Sequence, residues 1–328
     1  MNLAVESIKL CLKRQSDLSV AWIAYDGAQA VQKCAEDKPD LVLMDLLMPV
    51  MNGVEATRQI MLKTPCPIIV VTAGVSEKMP LVYEAMSFGA LDVVNTPSPS
   101  DESAQALLNK IAVVQKLVKA PANSPSQFTF KNPVQNCGPF PFLVAIGAST
   151  GGPQALSEIL SQIDADAEAA FVIIQHVDEQ FAKGLATWLG EKCQLPIILA
   201  EEGALPQPGR IYIAATNNHL VIEADRSFHY TPEPAACPYR PSVDAFFLSL
   251  ERNWAEKGIA VLLTGMGKDG AAGLLALRKK GWHTIAQDEA TSLIYAMPKA
   301  AAALNAAKEI LPINAIARAI KILSGKIG

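Results

Sequence analysis

Short apolar runs alternate with longer stretches of helical periodicity through the first third of the chain. Residues 41–44, 68–71 and 91–94 are apolar runs of strand length, and residues 18–24 form a fourth run ahead of them. Strands separated by helical segments of this length are typical of βαβ units, in which crossover helices join the strands of a parallel sheet. This part of the sequence therefore predicts a parallel sheet covered by helices.

A second βα series occupies the second half of the chain. Four apolar runs of strand length recur there, at residues 142–146, 171–175, 196–199 and 260–264. The segment 211–222 is predicted to form a β-hairpin, with Asn217 and Asn218 near its turn. The fold class that follows is α/β, with two doubly wound parallel-sheet domains.

The composition changes between the two series. Residues 119–139 are rich in proline and small polar residues, which do not build a core element, and they are predicted to be a linker. The chain then divides into a first domain at residues 1–118 and a second at residues 140–328. A length of 328 residues exceeds the usual size of a single core, which agrees with two domains.

Charge and cysteine content narrow the possible partners. A net charge of −4 provides no general attraction to nucleic acid or anionic lipid, so neither is expected as a partner. The first residues lack the basic region of a signal peptide, no direct membrane insertion is expected, and the expected location is cytoplasmic. Six cysteines are scattered without metal-ligand spacing and are interpreted as reduced thiols: Cys11, Cys34, Cys66, Cys137, Cys193 and Cys237.

Three strand ends in the second half carry a serine, a histidine and an aspartate. Ser149 lies on the glycine turn 147–152, between an apolar strand and the start of a helical pattern. Such a turn exposes a hydroxyl while the N–H groups of the next helix face its target. His176 closes the second strand of this series, and Asp269 follows a later one. Ligands of open α/β sheets bind outside the carboxyl ends of the strands, so these three residues can converge.

These residue types fit acyl transfer. A serine hydroxyl needs a base to become a nucleophile, imidazole supplies one near neutral pH, and a carboxylate fixes the imidazole tautomer and stabilises imidazolium. The other histidines are weaker candidates: His219 lies near the predicted hairpin turn, His229 in a polar segment and His283 in an apolar stretch. His176 alone closes a strongly apolar strand.

Interpretations without ester chemistry stay open on the residues alone. A serine among glycines after a strand can be a helix N-cap or part of a phosphate-binding turn. In a nucleotide-binding domain Gly147, Gly151 and Gly152 would hold the pyrophosphate and Asp178 the ribose, but their spacing departs from G-x-G-x-x-G. A non-catalytic signalling module is the third alternative, and the intact set of serine, histidine and aspartate argues against it.

Several separated motifs of the second half resemble the chemotaxis-type protein-glutamate methylesterases, the CheB family. They are A-I-G-A-S-T-G-G-P at 145–153, Q-H at 175–176, R-P-S-V-D at 240–244, L-T-G-M-G-K-D-G at 263–270 and A-Q-D-E-A-T-S at 286–292. The resemblance implies a Rossmann-like catalytic domain with Ser149 as nucleophile, His176 as general base and Asp269 as its orienting partner. It also implies that Thr150 and the backbone at Met266 help to hold the oxyanion.

The same resemblance implies a reaction and its partners. The substrates would be glutamate methyl esters on methyl-accepting chemoreceptors, which lose methanol to give an acyl-enzyme that water hydrolyses. Deamidation of receptor glutamines through the same intermediate is permitted by the resemblance. Hydrolysis is expected to need neither cofactor nor metal. A chemosensory histidine kinase would be the phosphodonor of the first domain.

The first half resembles a flavodoxin-like response-regulator receiver. The segment L-V-L-M-D-L-L-M-P at 41–49 puts Asp45 at a strand end, and Thr72 closes the next strand. In the family these positions are the phosphoacceptor and the switch hydroxyl. The resemblance implies that the unphosphorylated receiver covers the catalytic face and that phosphorylation of Asp45 opens it.

Two departures from the receiver pattern affect the phosphoacceptor. The sequence opens with what reads as the helix after the first receiver strand, so that strand and its acidic Mg²⁺-binding pair are absent, and the sheet should be destabilised. Asp45 is then the only candidate Mg²⁺ ligand. Thr96 stands where receivers place a lysine before a proline. We therefore expect little acyl phosphate on Asp45, and one hypothesis is that the native start lies upstream of Met1.

Overall fold

A computed structural model describes residues 2–72, 79–98, 102–117, 140–235, 237 and 239–325 of the chain. The chain divides into two compact units, Met1–Pro121 and Ala122–Gly328. The predicted linker at 119–139 lies outside the described residues. Each unit has its own parallel sheet, so the α/β class predicted from the apolar runs is confirmed.

The first unit has a small parallel sheet with the strand order β1-β2-β3. Its elements are α1 (Asn2–Leu12), α2 (Gly27–Glu36), β1 (Val42–Met44), α3 (Gly53–Lys63), β2 (Ile68–Thr72), α4 (Met79–Ser87), β3 (Asp92–Asn95) and α5 (Glu102–Leu117). Every residue of β2 is buried, because this central strand has a partner on each side and apolar neighbours on both faces.

The prediction of a strand at residues 18–24 is wrong, since the segment forms no regular strand. A cavity of about 810 Å³ is lined by this segment together with β1 and α1. Within the described part of the unit, β1 pairs with β2 alone. A strand needs a hydrogen-bonded neighbour to complete its ladder, and segment 18–24 has none.

The second unit is larger and has a seven-stranded parallel sheet with a separate two-stranded antiparallel sheet. Its elements are β4 (Leu143–Ala148), α6 (Gly152–Leu160), β5 (Ala170–Gln175), α7 (Glu179–Gly190), β6 (Ile197–Leu199), β7 (Arg210–Ile213), β8 (His219–Ile222), β9 (Phe228–Thr231), α8 (Val243–Asn253), β10 (Ile259–Leu262), α9 (Ala271–Lys279), β11 (His283–Gln287), α10 (Met297–Ala303), β12 (Glu309–Leu311) and α11 (Ile313–Leu323).

The strand order of the large sheet is β12-β11-β10-β4-β5-β7-β6. From β4 the chain moves to β5 on one side and later returns through β10 on the other side. The order therefore reverses at β4, which makes its carboxyl end the switch point where ligands of such sheets bind.

The predicted hairpin at 211–222 is also wrong. β7 lies in the large parallel sheet beside β5, and β8 pairs instead with β9 in antiparallel register, His219 opposite Thr231. Asn217 is not a hairpin turn residue: its side chain accepts the N–H of Glu179 at 2.9 Å, at the start of α7. Two apolar runs that are neighbours in the sequence thus belong to different sheets, because β7 pairs with β5 and β8 pairs with β9 and not with each other.

The core beside the switch point holds two helices in place. Strands β4 and β5 are buried along their whole length. One apolar cluster joins them to α8 and α9 through Val243, Phe247, Leu262 and Leu274. Burying each such side chain stabilises the fold by about 1.5–3 kcal/mol. The N-termini of α8 and α9 are therefore fixed beside the carboxyl ends of the central strands. No described helix is both long enough and apolar enough to cross a membrane.

Candidate active site

Ser149 lies immediately after β4 and is held by its backbone. Its N–H donates to the carbonyl of Thr264 at 3.1 Å, and its carbonyl accepts the Gln175 side-chain amide at 2.8 Å. Gly265 packs against it so closely that a Cβ there would lie 2.6 Å from the Ser149 Cβ. The residue is 8% exposed, and its backbone is fixed by its contacts with Thr264, Gln175 and Gly265.

His176 follows β5, the strand next to β4. Its N–H donates to the Ala148 carbonyl at 3.0 Å, which places it beside the residue preceding Ser149. Its Nε2 lies 2.8 Å from Oδ2 of Asp269. No hydrogen bond joins Ser149 Oγ to the His176 ring within the described part of the chain. Because Nε2 is taken by the carboxylate, Nδ1 is the nitrogen left to accept a proton, and such contacts often tighten only when substrate binds.

Asp269 is the most densely bonded side chain of the site. Its oxygens accept the Ser242 hydroxyl at 2.8 Å and the N–H groups of Val243 at 2.7 Å and Asp244 at 3.1 Å, in addition to His176. Burial raises the pKa of this carboxyl, but the hydrogen bond and charge of His176 and the two N–H donors outweigh it, and the net pKa is lowered. Asp269 thus lies ionised at the N-terminus of α8.

Two residues that support Asp269 were missed from the sequence. Ser242 is the N-cap of α8 as well as a donor to Asp269, and its own N–H donates to Nδ1 of His219 at 3.1 Å. His219 is fully buried at the start of β8, not near a hairpin turn, and burial lowers its pKa. The motif R-P-S-V-D at 240–244 was the available signal, since S-V-D is typical of a helix start.

Asp244 connects the two helices that border the site. Its Oδ1 accepts the N–H of Gly273 in the first turn of α9 at 2.6 Å, while its own N–H binds Asp269. Burial raises the pKa of Asp244 to about 6 against the effect of the Gly273 bond, and the negative charge of Asp269 adds to the rise. The N-termini of α8 and α9 are therefore tied together directly behind the aspartate.

Of the two predicted oxyanion residues, Thr150 follows Ser149 in the chain, and Met266 follows Gly265, which packs against Ser149. Thr150 is buried next to it, and its carbonyl accepts the Thr264 hydroxyl at 3.1 Å. Met266 is half-buried in the loop after β10, one residue beyond Gly265. Its N–H has no acceptor among the residues that the structure describes. α6 begins at Gly152, so the positive end of its dipole also points toward the serine.

The first unit places its candidate residues at adjacent strand ends. Asp45 follows β1 with its Oδ1 accepting the N–H of Leu47 at 3.2 Å. Thr72 ends β2, fully buried, and its hydroxyl has no partner in the described part of the unit. Thr96 follows β3, and its N–H donates to the Thr72 carbonyl at 3.0 Å. Asp45 and Thr96 both line the cavity beside β1.

These residues do not fit a Mg²⁺ site. Magnesium in proteins is held octahedrally by carboxylates and water. In the described ranges, no three metal-binding side chains of the histidine, cysteine, aspartate or glutamate type lie together. Asp45 is the carboxylate at the end of β1 and already accepts a backbone N–H.

Serine, histidine and aspartate at adjacent ends of a parallel α/β sheet define a class, the serine hydrolases. The CheB methylesterase family model matches residues 144–320, and the response regulator receiver domain model matches residues 2–108. The chain belongs to the CheB methylesterase family and combines its catalytic domain with a response regulator receiver domain.

Individual relatives agree over nearly the full length. A protein-glutamate methylesterase/protein-glutamine glutaminase of Cupriavidus metallidurans is 48% identical over 327 residues, covering 98% of this chain and 96% of the relative. One from Bordetella avium is 50% identical over 321 residues, covering 97% and 93%. The crystal structure of the Thermotoga maritima CheB methylesterase catalytic domain aligns with a TM-score of 0.52 at 33% identity, covering 55% of this chain and 97% of that chain.

Proposed function

We propose that this chain hydrolyses glutamate methyl esters on methyl-accepting chemoreceptors, with Ser149, His176 and Asp269 as the catalytic set. The observation that carries the proposal is the bond from His176 to a buried, fully bonded Asp269, at the strand end next to Ser149. The matched relatives are named for this activity and for glutamine deamidation. We place this action in the cytoplasm, because Cys34, Cys66, Cys193 and Cys237 are not joined in disulfides.

In the first half of the reaction the Ser149 oxygen attacks the ester carbonyl. Its proton passes to Nδ1 of His176, and Asp269 stabilises the resulting imidazolium through Nε2. The carbonyl oxygen becomes an oxyanion that backbone donors near Thr150 and Met266 bind. Removing one such donor costs about 2.7–4 kcal/mol of transition-state stabilisation in comparable sites. The C–O bond to the methoxy group then breaks, and His176 returns the proton so that methanol leaves.

The second half hydrolyses the acyl-enzyme. Water gives a proton to His176 and attacks the glutamyl carbonyl, and the bond to Ser149 breaks as its oxygen takes that proton back. The products are a free glutamate on the receptor and the regenerated serine. A receptor glutamine would form the same acyl-enzyme with loss of ammonia, so one set of residues serves both substrates.

Methanol release from a methylated chemoreceptor fragment tests this proposal. The full chain is expected to release methanol in proportion to time and enzyme, since no step requires a cofactor or metal ion. The matched control is the same fragment with its methylated glutamates replaced by aspartates, which offers no ester. Absence of methanol release by well-folded protein, with and without a small phosphodonor, would contradict the proposed activity.

The receiver unit is expected to accept little phosphate under ordinary conditions. A chemosensory histidine kinase is the phosphodonor that a receiver implies, but Thr96 is neutral where receivers place a lysine, and no two further metal-binding side chains lie beside Asp45 in the described ranges. Incubation with a radiolabelled small phosphodonor and Mg²⁺ should therefore give labelling far below one phosphoryl group per chain. Stoichiometric, Mg²⁺-dependent labelling that Asp45→Asn removes and the control Asp40→Asn retains would overturn this expectation.

A further inference from the structure

Tyr239 lies against the ring of His176. The two rings are stacked, with centroids 4.9 Å apart and planes 10° from parallel. Tyr239 is half-buried in the connection between β9 and α8, three residues before Ser242. Since Ser242 is bonded to Asp269, the tyrosine is carried on backbone that is fixed to the same carboxylate as His176.

The hydroxyl end of Tyr239 reaches the loop that carries Met266 and Asp269. A Cβ at Gly267 would lie 2.0 Å from the tyrosine oxygen, and Gly267 has a φ of +84°, so both space and backbone conformation require glycine there. Burial raises the pKa of Tyr239, and the negative charge of Asp269 adds to the rise. The phenol is therefore neutral and spans from the imidazole to the loop after β10.

A single hydrogen bond does not fix the His176 ring. The bond from Nε2 to Asp269 sets one nitrogen, but the ring can still turn about the line that joins the two atoms. Turning would change the direction of Nδ1, the nitrogen that must face Ser149 in the proposed proton transfer. A flat ring parallel to the imidazole restricts that rotation, and its face also attracts the imidazolium that forms when the serine proton is transferred.

We propose that Tyr239 is a positioning residue for the hydrolysis, holding the His176 ring so that Nδ1 faces Ser149 while Nε2 stays on Asp269. This role rests on the proposed function, because the reaction in question is the hydrolysis of the receptor ester. Tyr239 acts during proton transfer and not in receptor binding. Its loss should therefore lower kcat and leave KM almost unchanged.

The test compares two substitutions in the full chain. Tyr239→Phe keeps the stacked ring and removes only the hydroxyl, so kcat should stay within about twofold of wild type. Tyr239→Leu keeps apolar bulk and removes the ring face, so kcat for methanol release should fall about five- to tenfold at similar KM. Tyr239→Met, a flexible chain without a ring, should repeat the leucine result if the leucine variant folds poorly.

An NMR measurement on the His176 ring tests the stacking independently of the proposed esterase activity. The NMR signals of the His176 ring protons, assigned with His176→Gln, should carry a ring-current shift in wild type and Tyr239→Phe that Tyr239→Leu loses. If wild type releases no methanol, the activity fails, and the ring-current comparison still decides the stacking. Unchanged kcat in Tyr239→Leu, equal losses in Tyr239→Phe and Tyr239→Leu, or identical ring-proton shifts in all three proteins would each refute the positioning role.

Discussion

Replacing Ser149 with alanine is expected to reduce methanol release about 10⁶-fold, the scale of loss when the nucleophile of a serine hydrolase is removed. The fold should be unaffected, because Ser149 is held by its N–H and carbonyl, and the substitution leaves both bonds in place. Methanol release from methylated receptor and thermal unfolding, measured on the same preparations, check both parts of this prediction.

A matched serine controls for the substitution itself. The hydroxyl of Ser161 donates to the Glu158 carbonyl at the exposed end of α6, away from the strand ends. Ser161→Ala should retain wild-type activity within experimental error. If Ser149→Ala keeps more than a small fraction of wild-type turnover, another group must be the nucleophile and the assignment of Ser149 is wrong.

Asp269→Asn is expected to lower kcat about 10⁴-fold, the effect seen when a triad aspartate becomes an amide. An amide carries no charge to stabilise imidazolium. Its NH₂ group must also face a donor: at the Oδ2 position it meets His176 and the N–H of Val243, and at the Oδ1 position it meets the N–H of Asp244. Such an unsatisfied buried contact costs about 1–3 kcal/mol, so unlike Ser149→Ala this variant should also be less stable.

The difference in unfolding free energy between wild type and Asp269→Asn should become smaller as the pH falls. The pKa of Asp269 is lowered in the folded protein from its usual value of 3.8. Stabilisation by the carboxylate is therefore present above that value and is lost as the pH falls through the folded-state pKa. Urea unfolding of wild type and Asp269→Asn from pH 3 to pH 7 should show the gap narrowing at the acid end. Asp178→Asn, at the N-cap of α7, is the control, and a gap that widens toward acid would contradict the expectation.

The central strands of the large sheet and the position of the candidate site could be predicted from the sequence. The runs that became β4 and β5 are continuously apolar because both faces are buried, and that pattern is local to each strand. Ser149, His176 and Asp269 each follow a strand, and parallel strands bring their carboxyl ends to one edge whatever the distance in sequence. Their proximity could therefore be predicted before any contact was known.

Other features depend on partners that no local pattern reveals. Residues 18–24 have the composition of a strand, but a strand forms only where a neighbour completes its hydrogen bonds. Residues 211–222 contain two strands whose partners lie elsewhere in the chain. The support of Asp269 by Ser242 and His219 likewise joins three separate segments. A pattern of residue types predicts which face of a helix or strand is buried. Which element packs against that face is known only once the tertiary structure is known.

Methanol release by Ser149→Ala, His176→Ala and the variant carrying both changes tests the proposed proton transfer from serine to histidine. Residues that act as one unit give strongly non-additive losses. The double variant is therefore expected to retain the same residual rate as Ser149→Ala alone. A double variant slower by the product of the two single effects would mean that serine and histidine act independently, which contradicts the proposed proton transfer between them.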